Sequence, residues 1–405
     1  MMTEMEFFKR VTKIGGKAYV AGGWVRDGLM GRCSRDKDYV ICGLDESCFT
    51  SEFSDAQKIG NSFPVFILSI DREPCHVAMA RTDRKKGIGY KGFEVEYGPG
   101  VTIEEDLFRR DTTINSMAWS PSDDELIDPF GGQRDIKDKI IRATSDCFCE
   151  DPVRALRAAR QAAEFDFMIE DHTFEMMRSC RGELMLEPRE RIFYELNRAM
   201  LSDRPSIFFS ALVNAGLLGA VTPPLAEIWK RDSEESRKDF ALAMHLLDKA
   251  SELSERPEVR FAALARRICL LLEVRTAEGV KRKKEGLLDE INETLRLPVI
   301  WNRCAEFAAL KLPDPDKGKD PTVIVNVLSK LQNHPIGIDG CVAIAEAEGN
   351  IESYPFLINS EQYLGAMKKA RHQEIPGELK GREIGKWIRE QEIEALRRGP
   401  CRGSR

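Results

Sequence analysis

Two aspartates separated by a single residue, Asp36 and Asp38, are the pair in this chain whose type and spacing most directly suggest chemistry. On a β-strand, residues i and i+2 project from the same face. Two carboxylates on one face make a hard-oxygen site suited to Mg²⁺ carrying nucleotide phosphates. Two such ions can serve the attacking and leaving oxygens of a phosphoryl transfer. A solvated acidic strand end is the plainer account of an isolated D-x-D. Here, however, a β-rich run upstream ends in Gly22-Gly23 and is followed by Arg26. Paired glycines let a backbone approach a triphosphate and offer N–H groups to its oxygens. Arg26, one helical turn on, is placed to reach the same phosphates. Together these features favour a metal-assisted phosphoryl-transfer site over a bare acidic turn.

Two more strings set arginine beside aspartate. RRDTTINSM, residues 109–117, reads alone as an exposed basic turn. Glu150-Asp151-Pro152-Val153-Arg154 opens a helical run that continues to Arg157 and Arg160. Read alone, it is a capped helix start, with Asp151 and Arg154 three apart as an internal salt bridge.

The segment GGWVRDGLMGRCSRDKD, residues 22–38, resembles the signature of the class II tRNA nucleotidyltransferases and bacterial poly(A) polymerases, members of the polymerase-β-like superfamily. Trp24 and Met30 are mild variations on it. RRDTTINSM resembles that family's second motif almost letter for letter, LIDPFGGQRDIKDKIIR (126–142) matches the stretch that follows, and Glu150–Arg154 matches its E-D-x-x-R motif. The resemblance implies that Asp36 and Asp38 are the catalytic Mg²⁺ ligands and that Gly22, Gly23 and Arg26 contact the nucleotide. It implies ribose and triphosphate binding for Arg110, Asp111 and Asn115, a role that suits the planar arginine fork. It assigns base selection to Asp151 and Arg154. An aspartate accepts from the amino group of cytosine or adenine while an arginine donates to the ring acceptor. Uracil and guanine present a carbonyl in place of that amino group, leaving a buried acceptor unpaired at roughly 1–3 kcal/mol. Arg157 and Arg160 are then expected to orient the base or neutralise phosphate.

The elements that must position these residues change character along the chain. Lys17–Gly22, Asp38–Cys42, Phe63–Ser69, Cys75–Arg81 and Phe93–Tyr97 read as strands. RTDRKKGIGYKG, residues 81–92, reads as a mobile basic loop. From Asp151 onward helical patterns dominate, over 188–215 and 239–275 among others, and Leu312–Pro321 reads as a linker or exposed loop. The expected class is α+β, a nucleotidyltransferase α/β head followed by an all-α remainder. Expected boundaries are a catalytic head over 1–145, a helical neck over 146–205, a body over 206–311 and a tRNA-binding tail over 312–405.

The bulk numbers are compatible with this. A chain of 405 residues is too long for one core. The net charge of −6 neither supports nor excludes RNA binding, which needs a local basic surface rather than a basic total. No run approaches the ~20 apolar residues of a membrane span, and the start lacks a secretory apolar run. Eleven cysteines without a C-x-x-C pair suggest reduced thiols and a cytoplasmic location. Cys147 and Cys149 read as ordinary loop thiols.

Further resemblance, in FPVFILSIDREPCHVAMARTDRK (63–85), LEPRERIFYELNRAML (186–201) and PEVRFAALARR (257–267), points to the bacterial CCA-adding branch that carries an HD phosphohydrolase body. Where those relatives have a metal-binding His-Asp doublet, this chain has Arg266 and Arg267, with His245 the one histidine nearby. GREIGKWIREQEIEAL, 381–396, resembles the tail that contacts the tRNA elbow. The implied function is template-independent addition of CCA to the tRNA 3′ end from CTP and ATP. Poly(A) polymerase, a CC-adding enzyme and an inactive RNA-binding scaffold are the competing readings. Retention of both aspartates and the arginines speaks against the scaffold.

Overall fold

Along one short strand, Ala18 and Val20 point into one apolar core while Tyr19 and Ala21 point into another. That alternation makes the strand the middle of a sheet covered on both faces. It is β1 (Lys17–Ala21), followed by β2 (Asp38–Cys42), β3 (Gln57–Ile59), β4 (Val65–Ile70) and β5 (Glu73–Met79). Then come β6 (Arg81–Lys85), β7 (Phe93–Tyr97), β8 (Ala118–Ser120) and β9 (Glu125–Ile127). Seven of them form a mixed sheet in the order β3-β4-β5-β2-β1-β8-β9. The computed structural model describes residues 2–34, 36–59, 63–87, 92–230, 233–274 and 283–398. The chain divides into two compact units, Met1–Glu195 with Ser210–Ala220, and Leu196–Phe209 with Val221–Arg405.

One face of the sheet in the first unit carries an aromatic core. Phe7 packs on Tyr39 with ring centroids 5.2 Å apart, and Phe49 on Phe66 at 4.9 Å. Phe7 and Phe8 come from α1 (Glu4–Lys13), which the sequence reading did not assign. Its signals were present: Thr3 caps it by accepting from the Glu6 N–H, and Phe7, Phe8 and Val11 form its buried side. The helices α2 (Gly23–Leu29), α3 (Glu46–Glu52), α4 (Ile103–Phe108), α5 (Gly132–Asp138) and α6 (Val153–Phe165) complete what positions the site.

The strands at 38–42 and 93–97 have the expected bounds, and those expected at 63–69 and 75–81 lie at Val65–Ile70 and Glu73–Met79. The basic loop reading needs correction. Arg81–Lys85 is a strand, paired antiparallel with Phe93–Tyr97 from Arg81↔Tyr97 to Lys85↔Phe93. One directly opposed pair, Arg84 with Glu94, is of opposite charge, and Lys86 lies 2.5 Å from Glu94. None of the residues RTDRK is apolar, so the strand shows no alternation and is invisible to a hydropathy reading. Residues 88–91 of that stretch lie outside the described residues.

The second unit is helical. Helices Glu234–Leu253, Pro257–Val274, Pro321–Leu331 and Gly337–Ala347 enclose a core that includes Ala250, Val259, Leu328 and Ile344. The stretch 312–321 forms a loop within this unit. Asp320 ends it by accepting from the Thr322 and Val323 N–H groups, with Pro321 in the first turn of the next helix.

Candidate active site

Strand register brings the first two motifs together. In the antiparallel pairing of β1 with β2, Ala21 lies opposite Asp38. On its other side β1 pairs with β8, with Ala21 opposite Ala118. Gly22 therefore emerges beside both Asp38 and the end of RRDTTINSM, and its N–H donates to the Met117 carbonyl at 3.0 Å. Gly22 has φ +82°, and a Cβ there would stand 2.8 Å from Arg110 Nη1. Glycine is needed here both for the left-handed backbone and for the close approach of Arg110.

Asp38 is the first residue of β2, and Asp36 and Lys37 precede the strand. The expectation that a strand carries both aspartates is thus half right. The side chains nevertheless alternate: Asp36 and Asp38 are exposed, whereas Lys37 is half-buried against Glu4. The parallel pairing of β2 with β5 sets His76 opposite Asp38, its Nδ1 3.6 Å from the carboxylate. The sequence reading missed His76, because only strand register links it to Asp38.

Arg26 is buried in a fixed pose. Its Nη1 donates to Asn115 Oδ1 at 2.5 Å, its Nη2 to Asp27 at 2.7 Å, and its guanidinium lies 4.6 Å from the Phe165 ring centroid. Cation–π stacking on Phe165 connects this motif to the end of α6. The adjacent arginines share one buried carboxylate. Asp106 accepts from Arg109 at 2.5 Å and from Arg110 at 3.0 Å. Burial alone would raise its pKa, but the two guanidinium charges outweigh that and hold it below the usual carboxylate range. Arg109 also donates to the Arg81 carbonyl at 3.0 Å and pairs with Asp83. Asp106 is therefore the common anchor of the hairpin base and of Arg110. Its spacing three and four residues before Arg109 and Arg110 on the end of a helix was a usable signal.

Asp111 lies at the centre of a second network. It accepts from Arg157 Nε at 2.6 Å, Gln161 Nε2 at 3.0 Å, Asn115 Nδ2 at 3.0 Å and the Thr112 N–H at 2.8 Å. Burial works against its charge, yet Arg157 and these donors together depress its pKa, and Asp111 in turn raises that of Arg157. Gln161, one turn beyond Arg157 on α6, also accepts from Thr112 Oγ1 at 2.6 Å. Arg157 and Gln161 are what tie α6 to the RRD motif.

Asp151 precedes α6 in an extended conformation, and its Oδ1 caps the Val153 N–H at 3.2 Å. The salt bridge between Asp151 and Arg154 that the spacing suggested is not formed. Asp151 Oδ2 instead accepts from Arg191 Nη2 at 2.7 Å, and Arg154 donates to the Cys147 carbonyl. Since Asp151 lies outside the helix, three-residue spacing does not set the two side chains on one helical face. Arg160 is only 2% exposed, with Glu195 and Glu164 as partners. Cys147 and Cys149 lie in the turn Asp146–Glu150 and form no disulfide.

Two exposed carboxylates suit a hard, oxygen-seeking cation. Among the described residues no group of three or more His, Cys, Asp or Glu side chains is gathered for a metal. An ion at Asp36 and Asp38 would draw its remaining ligands from water and nucleotide phosphates, as Mg²⁺ usually does.

In the second unit, the doublet position is remade. Arg266 is fully buried and pairs with Glu348 at 2.9 Å. It also donates to the carbonyls of Ala308 and Leu312 at 2.8 Å and Pro313 at 3.1 Å. Arg267 beside it lines a cavity of about 380 Å³, together with His245, Asp314 and Asn350.

Comparison with known proteins agrees with this layout. The poly A polymerase head domain matches residues 18–142, and a probable RNA- and SrmB-binding site of polymerase A matches 166–228. The multifunctional CCA protein of Polaromonas naphthalenivorans is 33% identical over 94% of this chain and 98% of its own length. The CCA-adding enzyme of Coxiella burnetii is 40% identical over 61% of this chain and 62% of its own. A CCA-adding enzyme structure with ATP covers 96% of this chain and 87% of its own at 24% identity and a TM-score of 0.65. A Thermotoga maritima CCA-adding enzyme complexed with tRNA covers 96% and 89% at 22% identity and a TM-score of 0.64.

Proposed function

The chain belongs to the CCA-adding family of tRNA nucleotidyltransferases, and on that premise we propose that it completes the tRNA 3′ end through Asp36 and Asp38 as ligands of Mg²⁺. It adds C and A from CTP and ATP and releases diphosphate. The observation that carries the assignment is the register pair Ala21↔Asp38, which sets an exposed carboxylate beside the Gly22 turn and Arg110.

In the reaction the terminal hydroxyl of the tRNA attacks the α-phosphorus and the bond to diphosphate breaks. The Gly22-Gly23 turn and Arg110 hold the triphosphate, and Arg26 and Asn115 keep that turn in place through their 2.5 Å hydrogen bond. A bound Mg²⁺ would supply Lewis-acid stabilisation of the oxygens that gain charge. Asp151 accepts from the amino group of C or A and Arg154 donates to the ring nitrogen beside it. Asp111, its oxygens engaged by Arg157, Asn115 and Gln161, acts through the order it imposes on the ribose side of the site. Arg157 serves that order directly, and Arg160 stands behind it on Glu195. Lys368 and Lys369, at the end of the helix Ser360–Arg371, offer positive charge to tRNA phosphates at the elbow. No helix among the described residues is long and apolar enough to cross a membrane, and no disulfide joins the ten described cysteines, as in a reducing cytoplasm.

The test uses tRNA ending at the discriminator base with CTP alone, ATP alone and both. Cytidines with CTP alone, no extension with ATP alone and a complete end with both are expected. A lengthening run of A with ATP alone would make it a poly(A) polymerase. Arrest after the cytidines with both nucleotides would make it a CC-adding enzyme.

A further inference from the structure

Lys37, the residue between the two metal carboxylates, is gripped from outside the strand. Its Nζ donates to both oxygens of Glu4, at 2.8 and 2.9 Å. The same ammonium lies 4.8 Å from the Trp24 ring centroid. Tyr39 Oη, two residues further along, donates to Glu4 Oε1 at 2.7 Å. Glu4 thus receives donors from both sides of Asp38. Both ladders of β2 begin at Asp38, so Asp36 and Lys37 lie before its paired residues. Trp24 belongs to the turn that follows Gly22-Gly23. Lys37 therefore links three things: the segment carrying the carboxylates, the first turn of α1, and the start of the phosphate-binding helix.

We propose that Glu4, acting through Lys37, is a positioning residue for the metal carboxylates, and that α1 is part of the catalytic apparatus rather than only a cover for the sheet. The inference rests on the reading of Asp36 and Asp38 as metal ligands. A bidentate ion pair on the intervening residue limits the swing of the backbone that carries both. The pair is about three-quarters buried, with side-chain exposures of 26% for Lys37 and 27% for Glu4, so solvent screens it less than a surface bridge. Docking of α1 does not depend on it. Phe7, Phe8 and Val11 are buried in the aromatic core, and Arg10 is separately paired with Glu52 at 2.7 Å. Glu4 can thus be changed without detaching the helix.

The experiment compares wild type with Glu4→Gln, Lys37→Met, the double variant and Asp38→Asn. Mn²⁺ binding without nucleotide is followed by electron paramagnetic resonance, alongside kcat and KM for CTP and ATP and a thermal melt. Loss of a group that orients metal ligands typically weakens metal affinity or activity by roughly 10–100-fold. Glu4→Gln and Lys37→Met should each weaken Mn²⁺ binding and lower kcat by roughly tenfold, with KM for both nucleotides little changed. The double variant should lose no more than the worse single one, because the two side chains act as one unit. Mn²⁺ affinity and kcat within about twofold of wild type in both single variants, while Asp38→Asn abolishes binding, would overturn the positioning role and leave the metal assignment standing. Unchanged Mn²⁺ binding in Asp38→Asn would overturn the metal assignment and this inference with it.

Discussion

Each unit of this protein buries arginines, and the two sets are used differently. In the first unit the two buried carboxylates at the site are each shared: Asp106 holds Arg109 and Arg110, and Asp111 holds Arg157 with two amides and a backbone N–H. The guanidiniums they orient remain partly open, with side-chain exposures of 20% for Arg110 and 38% for Arg157. In the second unit Arg266 has a side-chain exposure of 1%, and its donors are taken by one carboxylate and three carbonyls. The first arrangement leaves charge partly open to solvent, as the proposed triphosphate site requires. The second cross-links a helix to a loop. Burial of an arginine is therefore uninformative about function until the remaining direction of its donors is known.

The comparison breaks first at the carboxylates. Asp36→Ala should lower incorporation of both C and A by roughly a thousandfold or more while the melting temperature stays put, since the side chain is exposed. Retention of activity within tenfold of wild type would remove the metal assignment.

Arg266→Met should do the opposite. It leaves Glu348 nearly buried without its partner and several carbonyls unsatisfied, a loss of about 3–5 kcal/mol in urea unfolding. The folded fraction should still incorporate nucleotides at close to the wild-type rate. An unchanged unfolding midpoint would show that the cross-link contributes nothing.

Arg154→Ala tests a buried arginine of the first unit more finely. It should narrow discrimination against UTP and GTP by about 1–3 kcal/mol, or roughly 5–150-fold, with tRNA binding little affected. Selection as strict as in wild type would contradict its role at the base. The smallest expected signal is in the second unit. Purified protein given a 2′,3′-cyclic nucleotide with Ni²⁺, Mn²⁺ or Mg²⁺ should show no turnover, because a guanidinium has no lone pair for a metal. Hydrolysis that persists when Asp36 and Asp38 are both replaced by alanine would reveal a second active site.

Much of the first unit was legible because its chemistry is local. The Gly-Gly turn and D-x-D place their groups within a few residues, where type and spacing can be read, whereas RRD read alone as a basic turn and took its role from the family resemblance. Asp106 and Gln161 were readable by the same helical spacing and were overlooked. His76, Glu4 and Arg191 were not readable, because each meets its aspartate or lysine only through strand register or tertiary packing. The strand Arg81–Lys85 was hidden for a different reason, since none of its residues is apolar. In the second unit, the sequence established that Arg266 cannot ligate a metal but said nothing of what it does instead. That depends on carbonyls more than forty residues away.

The central claim is that one carboxylate pair in the first unit serves both nucleotides. It is tested most directly with Asp38→Asn on two substrates: tRNA ending at the discriminator base given CTP, and tRNA ending in CC given ATP. The account predicts that the two single-turnover rates fall together, each by roughly a thousandfold. A variant that loses C addition while keeping A addition near wild type, or the reverse, would contradict it.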